Sequence, residues 1–433
     1  MLQLFNSRSR QRERFRPIPG RPVRVYVCGI TPYDTTHLGH AFTYVTFDVL
    51  MRLMRHGHNW PVRYVQNLTD IDDDVLRKAA ETGEDWRALG LRWTELFRGD
   101  LAWLNVTPPD VYPGATSVMA RIVEQVAALI ERGLAYESGG SVYFAVDADP
   151  TFAAELGLDR SSLLALANER GNHPDDPSKR DPLDFVLWQA GKPGEPAWRS
   201  PWSAGRPGWH IECSALALAH LGEQVDIHGG GGDLSFPHHA CEEAQSTPLV
   251  GQQPWVRWWM HVAMVEKDGV KMSKSLGNLV LVRRLAAEGH HPDTVRLYLL
   301  QHHYRSAWNW DPERFRDSTA MTRTLHAAVA RSSPGRRVLD LSRFGPRVTS
   351  ALDDDLNTPE ALNAALELAD AIIDAPPGCD LRPAQDLLRA TAGLLLGLHL
   401  DPVVAAPGAL AAEWPAPLVA EPDLMLPPEP ESA

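Results

Sequence analysis

Between residues 23 and 40 the chain passes from a two-residue rhythm to a helical one through a turn rich in polar groups. Val23, Val25 and Val27 alternate with Arg24 and Tyr26, which reads as a strand. The pattern breaks at Cys28-Gly29, crosses a turn holding Pro32 and Asp34, and closes on His37-Leu38-Gly39-His40 at the head of an apolar run that reads as a helix. A strand feeding a turn feeding a helix N-terminus is an anion site, because free backbone N–H groups and the positive helix end point at the ligand. His37 and His40 can add donors to a phosphate. Gly39 has no Cβ, so a flat group can lie against the backbone. A buried strand and helix with incidental histidines would fit the same residues. The choice turns on a second segment, Lys271-Met272-Ser273-Lys274-Ser275, which begins 231 residues after His40 in a loop opened by Asp268-Gly269. Two lysines and two serines on such a loop suit a migrating triphosphate.

Together, His37–His40 and Lys271–Ser275 resemble the two signatures of class I aminoacyl-tRNA synthetases. The fold this implies is α/β: a Rossmann-type (HUP) catalytic domain with an insertion, followed by a helical bundle. The reaction it implies is activation of a carboxylate by ATP, giving an aminoacyl-adenylate and diphosphate.

The rest of the chain divides in step with that frame. Residues 1–22 read as a leader with a short strand around Leu2, Leu4 and Phe5. Residues 23–134 form a first half, with a helix whose Tyr44, Phe47, Leu50, Leu53 and Met54 face the core. A strand at Val62–Val65 runs into Gln66–Asp70 and then Ile71–Asp74. Polar residues at the carboxyl end of a parallel strand are where ligands sit in open α/β sheets. Asp73 and Asp74 read as well as plain helix-start acids. Residues 135–205 are an insertion, loop-like and Pro-rich from about 150 to 200, with a hairpin at Gly139-Gly140. Residues 206–265 are the second half: a helix after Gly208–Cys213, then a strand Val225–His228 ending in Gly229–Gly232 and Asp233. That glycine run suits close approach of the backbone to a planar ligand, or a flexible turn. Residues 266–318 carry the second signature, 319–400 are helical, and 401–433, with eight prolines and six acids but no Lys or Arg, read as a disordered tail.

Cys28, Cys213 and His238 all lie at strand-to-helix junctions, which converge at one edge of a doubly wound sheet. Two thiolates and an imidazole are typical zinc ligands, and three protein ligands leave a position open for substrate. Glu242, four residues after His238, shares its helical face and either ligates or orients that histidine. Cys241 points elsewhere and reads as a bystander. Two buried cysteines and a capping histidine are the plainer alternative. An open zinc position favours a cysteine substrate, whose thiol is a soft ligand that serine and alanine lack.

Cys28, Trp209–Cys213 and Phe236–His239, with the two signatures, are similar to cysteinyl-tRNA synthetases and to their paralogues in mycothiol biosynthesis, the cysteine:glucosaminyl-inositol ligases. Ile30–Asp34, Glu169–Pro174, Leu279–Val282 and the single helical domain resemble the ligases, although Asn172-His173 replaces their Gly-Asp. Glu242 and His228 resemble the synthetases. The resemblance implies ATP with Mg²⁺, one Zn²⁺ per chain, and catalytic roles for His37, His40, Lys271 and Lys274. It puts substrate and adenylate against Cys28, Gly29, Ile30, Thr31, Thr43, Asn67, Leu68, Thr69, Trp209, Gly231, Gly232, Asp233 and Met264, with zinc on Cys28, Cys213 and His238 and a fourth place for Glu242. Three outcomes stay open: transfer of cysteine to the amine of glucosaminyl-inositol, charging of tRNA by a synthetase without its usual C-terminal module, or a catalytically inactive binding paralogue.

Composition narrows the partners. The formal net charge is −13, and proteins that grip nucleic acid usually show a basic face, so small molecules (cysteine, ATP, an amino-sugar acceptor) are favoured over tRNA. No apolar run has membrane-spanning length, and the polar, basic N-terminus lacks a secretory core. A cytoplasmic monomer is the expectation. Four cysteines in a chain of 433 residues do not suggest a disulfide framework.

Overall fold

Leu2, Leu4 and Asn6 are buried while Met1, Gln3 and Phe5 are more exposed, the two-residue period of a strand with one buried face. The computed structural model, which describes residues 1–272, 276–332, 334–411, 414–419 and 425–426, starts with a hairpin, β1 (Gln3–Asn6) and β2 (Gln11–Arg14). Leu2 and Leu4 are buried in the main core, so this hairpin packs as part of the fold.

The next strand, β3 (Val23–Ile30), runs through Cys28-Gly29, where the sequence pattern predicts a break. Its helix, α1 (Leu38–Arg52), buries Tyr44, Phe47 and Leu50 as the periodicity requires. β4 (Val62–Leu68) extends three residues past Val65. Then come α2 (Asp73–Thr82), α3 (Trp86–Trp103) and α4 (Met119–Glu131). The hairpin at Gly139-Gly140 is β5 (Ala135–Ser138) and β6 (Ser141–Phe144), as expected. The Pro-rich stretch that follows is more ordered than its composition suggests. It holds α5 (Arg160–Asn168), β7 (Phe185–Ala190) and β8 (Ala197–Trp198), which with β9 (Gly205–Pro207) build an antiparallel sheet onto β6. Phe144, Leu187 and Trp188 supply the apolar face that a loop would lack.

The second half contributes α6 (Trp209–Leu221), β10 (Val225–Gly231), α7 (Ala240–Ser246) and β11 (Val256–Val262). The central sheet is parallel, in the order β11-β10-β3-β4. Gly229 to Gly231 belong to β10 and are not a turn; a Cβ on Gly229 would come within 2.1 Å of Phe47, so glycine there makes room for α1. The second signature opens on a hairpin, β12 (Val265–Lys267) and β13 (Val270–Lys271). Asp268 and Gly269 sit between them at φ 56° and 75°, the left-handed conformations such a turn needs. Helices α8 (Val282–Ala287), α9 (Pro292–Leu300), α10 (Pro312–Ala330), α11 (Gly345–Asp353), α12 (Thr358–Ile373) and α13 (Arg382–Leu388) follow.

The described part of the tail is packed. Trp414 is 3% exposed against Phe97 and Tyr112, and Leu418 exchanges backbone hydrogen bonds with Tyr112 and Gly114. One tryptophan and two backbone bonds give residues 414–418 the anchorage that composition alone denied them. Pro407–Leu410 is helical and Met425-Leu426 pairs with β8, so the tail's described residues are ordered; the rest of the expectation, residues 412–413, 420–424 and 427–433, lies outside the described residues. No described helix is long and apolar enough to cross a membrane.

Candidate active site

Three parallel strand ends and two loops surround a cavity of about 770 Å³. From β3 and its turn come Cys28, Gly29, Ile30 and Thr31; from the start of α1 come His37, His40 and Thr43. Trp209, Gly231, Asp233, Met264 and Lys271 complete the expected residues that line it. Asn67, Leu68, Thr69 and Gly232 are not on its wall. Asn67 acts from behind: its Oδ1 accepts from the Gly29 N–H at 2.7 Å, while its Nδ2 donates to Thr69 Oγ1 at 3.3 Å. Lys274 lies outside the described residues.

Gly29 is where glycine is required. A Cβ there would sit 1.6 Å from the Asn67 carbonyl oxygen, so only a bare backbone lets β3 and β4 pack at this point. The register shifts between Val27 and Ile30 at the same place. That local irregularity turns Cys28 to the site.

The start of α1 is already capped. His37 Nδ1 accepts from the N–H groups of Gly39 at 3.0 Å and His40 at 3.4 Å, and the two imidazoles stack with centroids 3.8 Å apart. Part of the donor set that the sequence assigned to phosphate is therefore engaged by His37 itself. The segment after the second signature zips onto the first: Leu38 N–H donates to Val280 O at 2.9 Å and Val282 N–H to Thr36 O at 3.0 Å. The two signatures thus share a wall. Across from them, Asp233 accepts from Lys271 Nζ at 3.0 Å and pairs with Arg170 at 3.2 Å. Burial pushes the Asp233 carboxyl up, but Lys271 and then Arg170 more than reverse this and hold it below the ordinary value.

Beneath the cavity lies a buried group of metal-type donors. Cys28, Cys213, His238 and Glu242 each offer one atom, all within 4.8 Å of one another. Cys28 Sγ stands 3.9 Å from Cys213 Sγ and 3.8 Å from Glu242 Oε1, and His238 Nε2 is 3.2 Å from that same oxygen. Glu242 and His238 do share a helical face. Cys241 belongs to no such group among the described residues, although it is buried. Sequence reasoning passed over an overlapping set, Cys28, His228, His239 and Glu242. It also passed over two histidines that orient the others: His210 Nδ1 lies 3.0 Å from His238 Nδ1, and His261 Nε2 lies 2.8 Å from His239 Nδ1. The density of histidine between 210 and 261 was the available signal.

These groups suit a cation. Burial pushes the Cys28 thiol and the Glu242 carboxyl well up, and with neighbouring imidazoles it drives His238 and His239 well down. Glu242 Oε2 and His228 Nδ1 are buried with no hydrogen-bond partner among the described residues. Orphaned buried acceptors beside two thiols are what a bound divalent ion would satisfy.

Residues 14–320 match the model of the tRNA synthetases class I (C) catalytic domain. Relatives named L-cysteine:1D-myo-inositol 2-amino-2-deoxy-alpha-D-glucopyranoside ligase include the following three. That of Thermobifida fusca is 47% identical over 88% of this chain and 91% of its own length. That of Kribbella flavida is 44% identical over 92% and 96%, and that of Mycolicibacterium smegmatis 46% over 92% and 96%. Among solved structures, Mycobacterium tuberculosis methionyl-tRNA synthetase bound by methionyl-adenylate superposes with a TM-score of 0.57 at 16% identity, over 87% of this chain and 89% of that one. An Agrobacterium radiobacter leucyl-tRNA synthetase gives 0.59 at 11% identity, over 93% and 88%. At those identities the structures show the fold alone.

Proposed function

The chain belongs to the class I (C) synthetase family and, within it, to the L-cysteine:glucosaminyl-inositol ligases, and from that premise we propose how its residues run the reaction. It is an ATP-dependent ligase that joins L-cysteine to the amine of glucosaminyl-inositol, with release of AMP and diphosphate.

ATP and cysteine meet in the 770 Å³ cavity. His37 and His40 contact the phosphates. Asp233 takes the ribose and Met264 packs near adenine. Lys271 then leaves Asp233 and, with Lys274, closes over the β- and γ-phosphates, stabilising the charge that develops on departing diphosphate. Mg²⁺ accompanies the nucleotide. The cysteine carboxylate attacks the α-phosphorus, so the cysteinyl-adenylate forms as diphosphate leaves. Thr31, Thr43 and Trp209 position the amino acid, and Asn67 fixes the Gly29 backbone beneath it.

Cys28, Cys213 and His238 would hold zinc, with Glu242 at hand as a fourth ligand or as the group that orients His238. When bound there, zinc supplies a soft Lewis-acid position that distinguishes a thiol from a hydroxyl or a methyl. That difference gives discrimination without an editing step. The observation that carries this reading is the convergence of both signatures and the buried donor group on one cavity. The ligase assignment and the acidic total charge both favour a small-molecule acceptor over tRNA. We also assign the chain as a monomer in the cytoplasm.

The test is AMP release from purified protein with ATP, Mg²⁺ and L-cysteine, with glucosaminyl-inositol in one arm and total tRNA in the other. Acceleration by the amino sugar with a cysteinyl-amide product is the expected result; charging of tRNA instead would overturn it. Cys213→Ser should abolish both zinc content and cysteine-dependent ATP–diphosphate exchange, and retained exchange would remove the metal from the reaction.

A further inference from the structure

A second cavity, of about 490 Å³, adjoins the first. Its size falls in the range of small-molecule sites, about 300–1,000 Å³. Thr31, Asp74, Glu169, Arg170 and Trp209 line both, so the two meet along that boundary. The nucleotide and the amino acid do not account for it, because the two signature segments, the end of β10 and Lys271 all line the first cavity.

The insertion makes its rim. Glu169–His173, the segment that the sequence singled out and the activation step does not use, runs along it. That segment is fixed in place. Asn172 Nδ2 donates to Asn168 Oδ1 at 2.7 Å and to Pro182 O at 3.0 Å, and Arg170 reaches across to Asp233 at 3.2 Å. The insertion thereby touches the nucleotide cavity while shaping its neighbour.

The inner wall is acidic and incompletely satisfied. Asp72, the N-cap of α2, accepts from Asp74 N–H at 2.7 Å and lines the cavity. Glu212 also lines it; the residue is 1% exposed, and its Oε2 has no hydrogen-bond partner among the described residues. A buried carboxyl oxygen in that state needs a donor from whatever fills the space. Arg206, buried and bonded to Asp73 and Glu195, brings a guanidinium to the same wall, and Lys179 adds an ammonium. Carboxyls with a few cations suit a ligand carrying one amine and many hydroxyls, which donate to the first and accept from the second.

We propose that this second cavity is the acceptor subsite, and that it holds a polyhydroxylated primary amine between Asp72, Glu212 and the Glu169–His173 rim, with its nitrogen toward Thr31 and Trp209. The proposal rests on the ligase reading above and adds the place of the second substrate. In the transfer step the bound ammonium first gives up one proton to water, and the free amine's nitrogen then attacks the adenylate's carbonyl carbon. The C–N bond forms, the bond from that carbon to the phosphate oxygen breaks, AMP leaves with the electron pair, and the nitrogen's surplus proton passes to water. Asp72 serves as the anionic partner of the incoming ammonium, and burial, which raises its carboxyl to about 6, leaves it charged at neutral pH.

Two variants test this in the full chain loaded with zinc. Asp72→Asn removes the charge and keeps the helix cap, since asparagine caps as well as aspartate. His173→Ala trims an exposed rim residue. Neither residue lines the first cavity. Two readouts are compared: cysteine-dependent ATP–diphosphate exchange, which needs no acceptor, and AMP release driven by glucosaminyl-inositol. The KM for the amino sugar should rise at least about tenfold in Asp72→Asn, the loss of one charge-assisted hydrogen bond, and by about threefold in His173→Ala. Exchange should stay within about twofold of wild type, as expected for sites that act in separate steps. An unchanged KM in both variants, or exchange that falls in parallel with transfer, overturns the subsite. A wild-type protein that exchanges diphosphate but ignores the amino sugar overturns the ligase reading instead, so the two failures are distinct.

Discussion

The helix that carries the first signature is held from its far side by one buried ionic node, and that node has a calculable worth. Asp48 on α1 is buried. Its Oδ2 accepts from Arg52 Nε at 2.7 Å and from Arg296 of α9, and its Oδ1 accepts from the Thr107 N–H at 2.8 Å. Arg296 also donates to Leu396 O at 2.6 Å and Leu104 O at 2.7 Å, so one side chain ties α1 to the end of α3 and to the helical domain. Burial pushes the Asp48 carboxyl up; Arg52 and Arg296, with the Thr107 N–H, more than reverse this and hold it at about 2. A carboxyl held below its unfolded value of 3.8 stabilises the fold above that pH, and the stabilisation is lost as the pH falls from about 4 toward 2. The difference corresponds to about 2.5 kcal/mol. Arg296→Met removes one of the two guanidiniums and leaves Arg52 and Thr107 in place. The cost should therefore lie near the low end of the range for breaking a buried pair, about 3 kcal/mol. With a urea slope of about 3 kcal/mol/M, the unfolding midpoint falls by about 1 M at pH 7. Urea titration followed by tryptophan fluorescence reads this directly. The gap between wild type and variant should narrow as the pH falls from about 4 toward 2, because protonating Asp48 takes from the wild type what the variant has already lost. A midpoint within about 0.2 M of wild type at pH 7, or a gap that ignores pH, would refute the reasoning.

Gly29→Ala should part β3 from β4, since its Cβ would meet the Asn67 carbonyl at 1.6 Å. We expect a stability loss of at least about 1–3 kcal/mol together with reduced zinc content, because Cys28 is the adjacent residue; normal metal content and an unchanged urea midpoint would contradict this. Lys271→Ala leaves Asp233 with Arg170 alone, and should slow diphosphate exchange by about a hundredfold or more while barely changing the KM for cysteine. Lys274→Ala should show the same split, and a normal exchange rate would take that lysine out of the mechanism.

The chemistry of this chain was more legible than its local structure. The two signatures pointed to one cavity because their residue types answer to a phosphate, whatever surrounds them. The strand boundaries were less visible. Cys28-Gly29 read as a break, since a glycine weakens a strand pattern, yet it lies within β3 because Asn67, far away in sequence, packs against it. Gly229–Gly231 read as a stretch beyond the strand, suited to a planar ligand or a flexible turn, yet they lie within β10, and the partner that requires bare backbone at Gly229, Phe47, comes from another element. Proline content hid α5 and β7, whose buried Leu163, Phe185 and Trp188 form a face only with the neighbouring strands. Composition misread Trp414, because one aromatic in a slot between Phe97 and Tyr112 changes little in a window average. Spacing found three metal-type donors and the position of Glu242, but missed His228 and His239, whose approach to Cys28 depends on the pairing of β10 with β3.

That pairing raises the question of which donors a metal would choose. Cys28 and Glu242 belong to both overlapping sets, and Glu242 Oε1 lies 3.2 Å from His238, 3.4 Å from His228 and 3.9 Å from His239. Distance does not separate them; chemistry does. Only the first set includes Cys213, and a second thiolate is what favours zinc over harder cations. His238 is held in place. Its Nδ1 is engaged by His210 and its ring stacks on Trp209 at 4.3 Å, which aims Nε2 at the carboxylate beneath the cavity. His239 directs its Nε2 at Cys28 Sγ, 3.3 Å away, and its Nδ1 at His261, so it is oriented in the same way, and the choice between the sets rests on Cys213. On this reasoning a metal would take the first set, with the other histidines as a shell around it. Burial keeps that shell neutral, so a cation in the set would face thiolate and carboxylate charge without opposition from imidazolium.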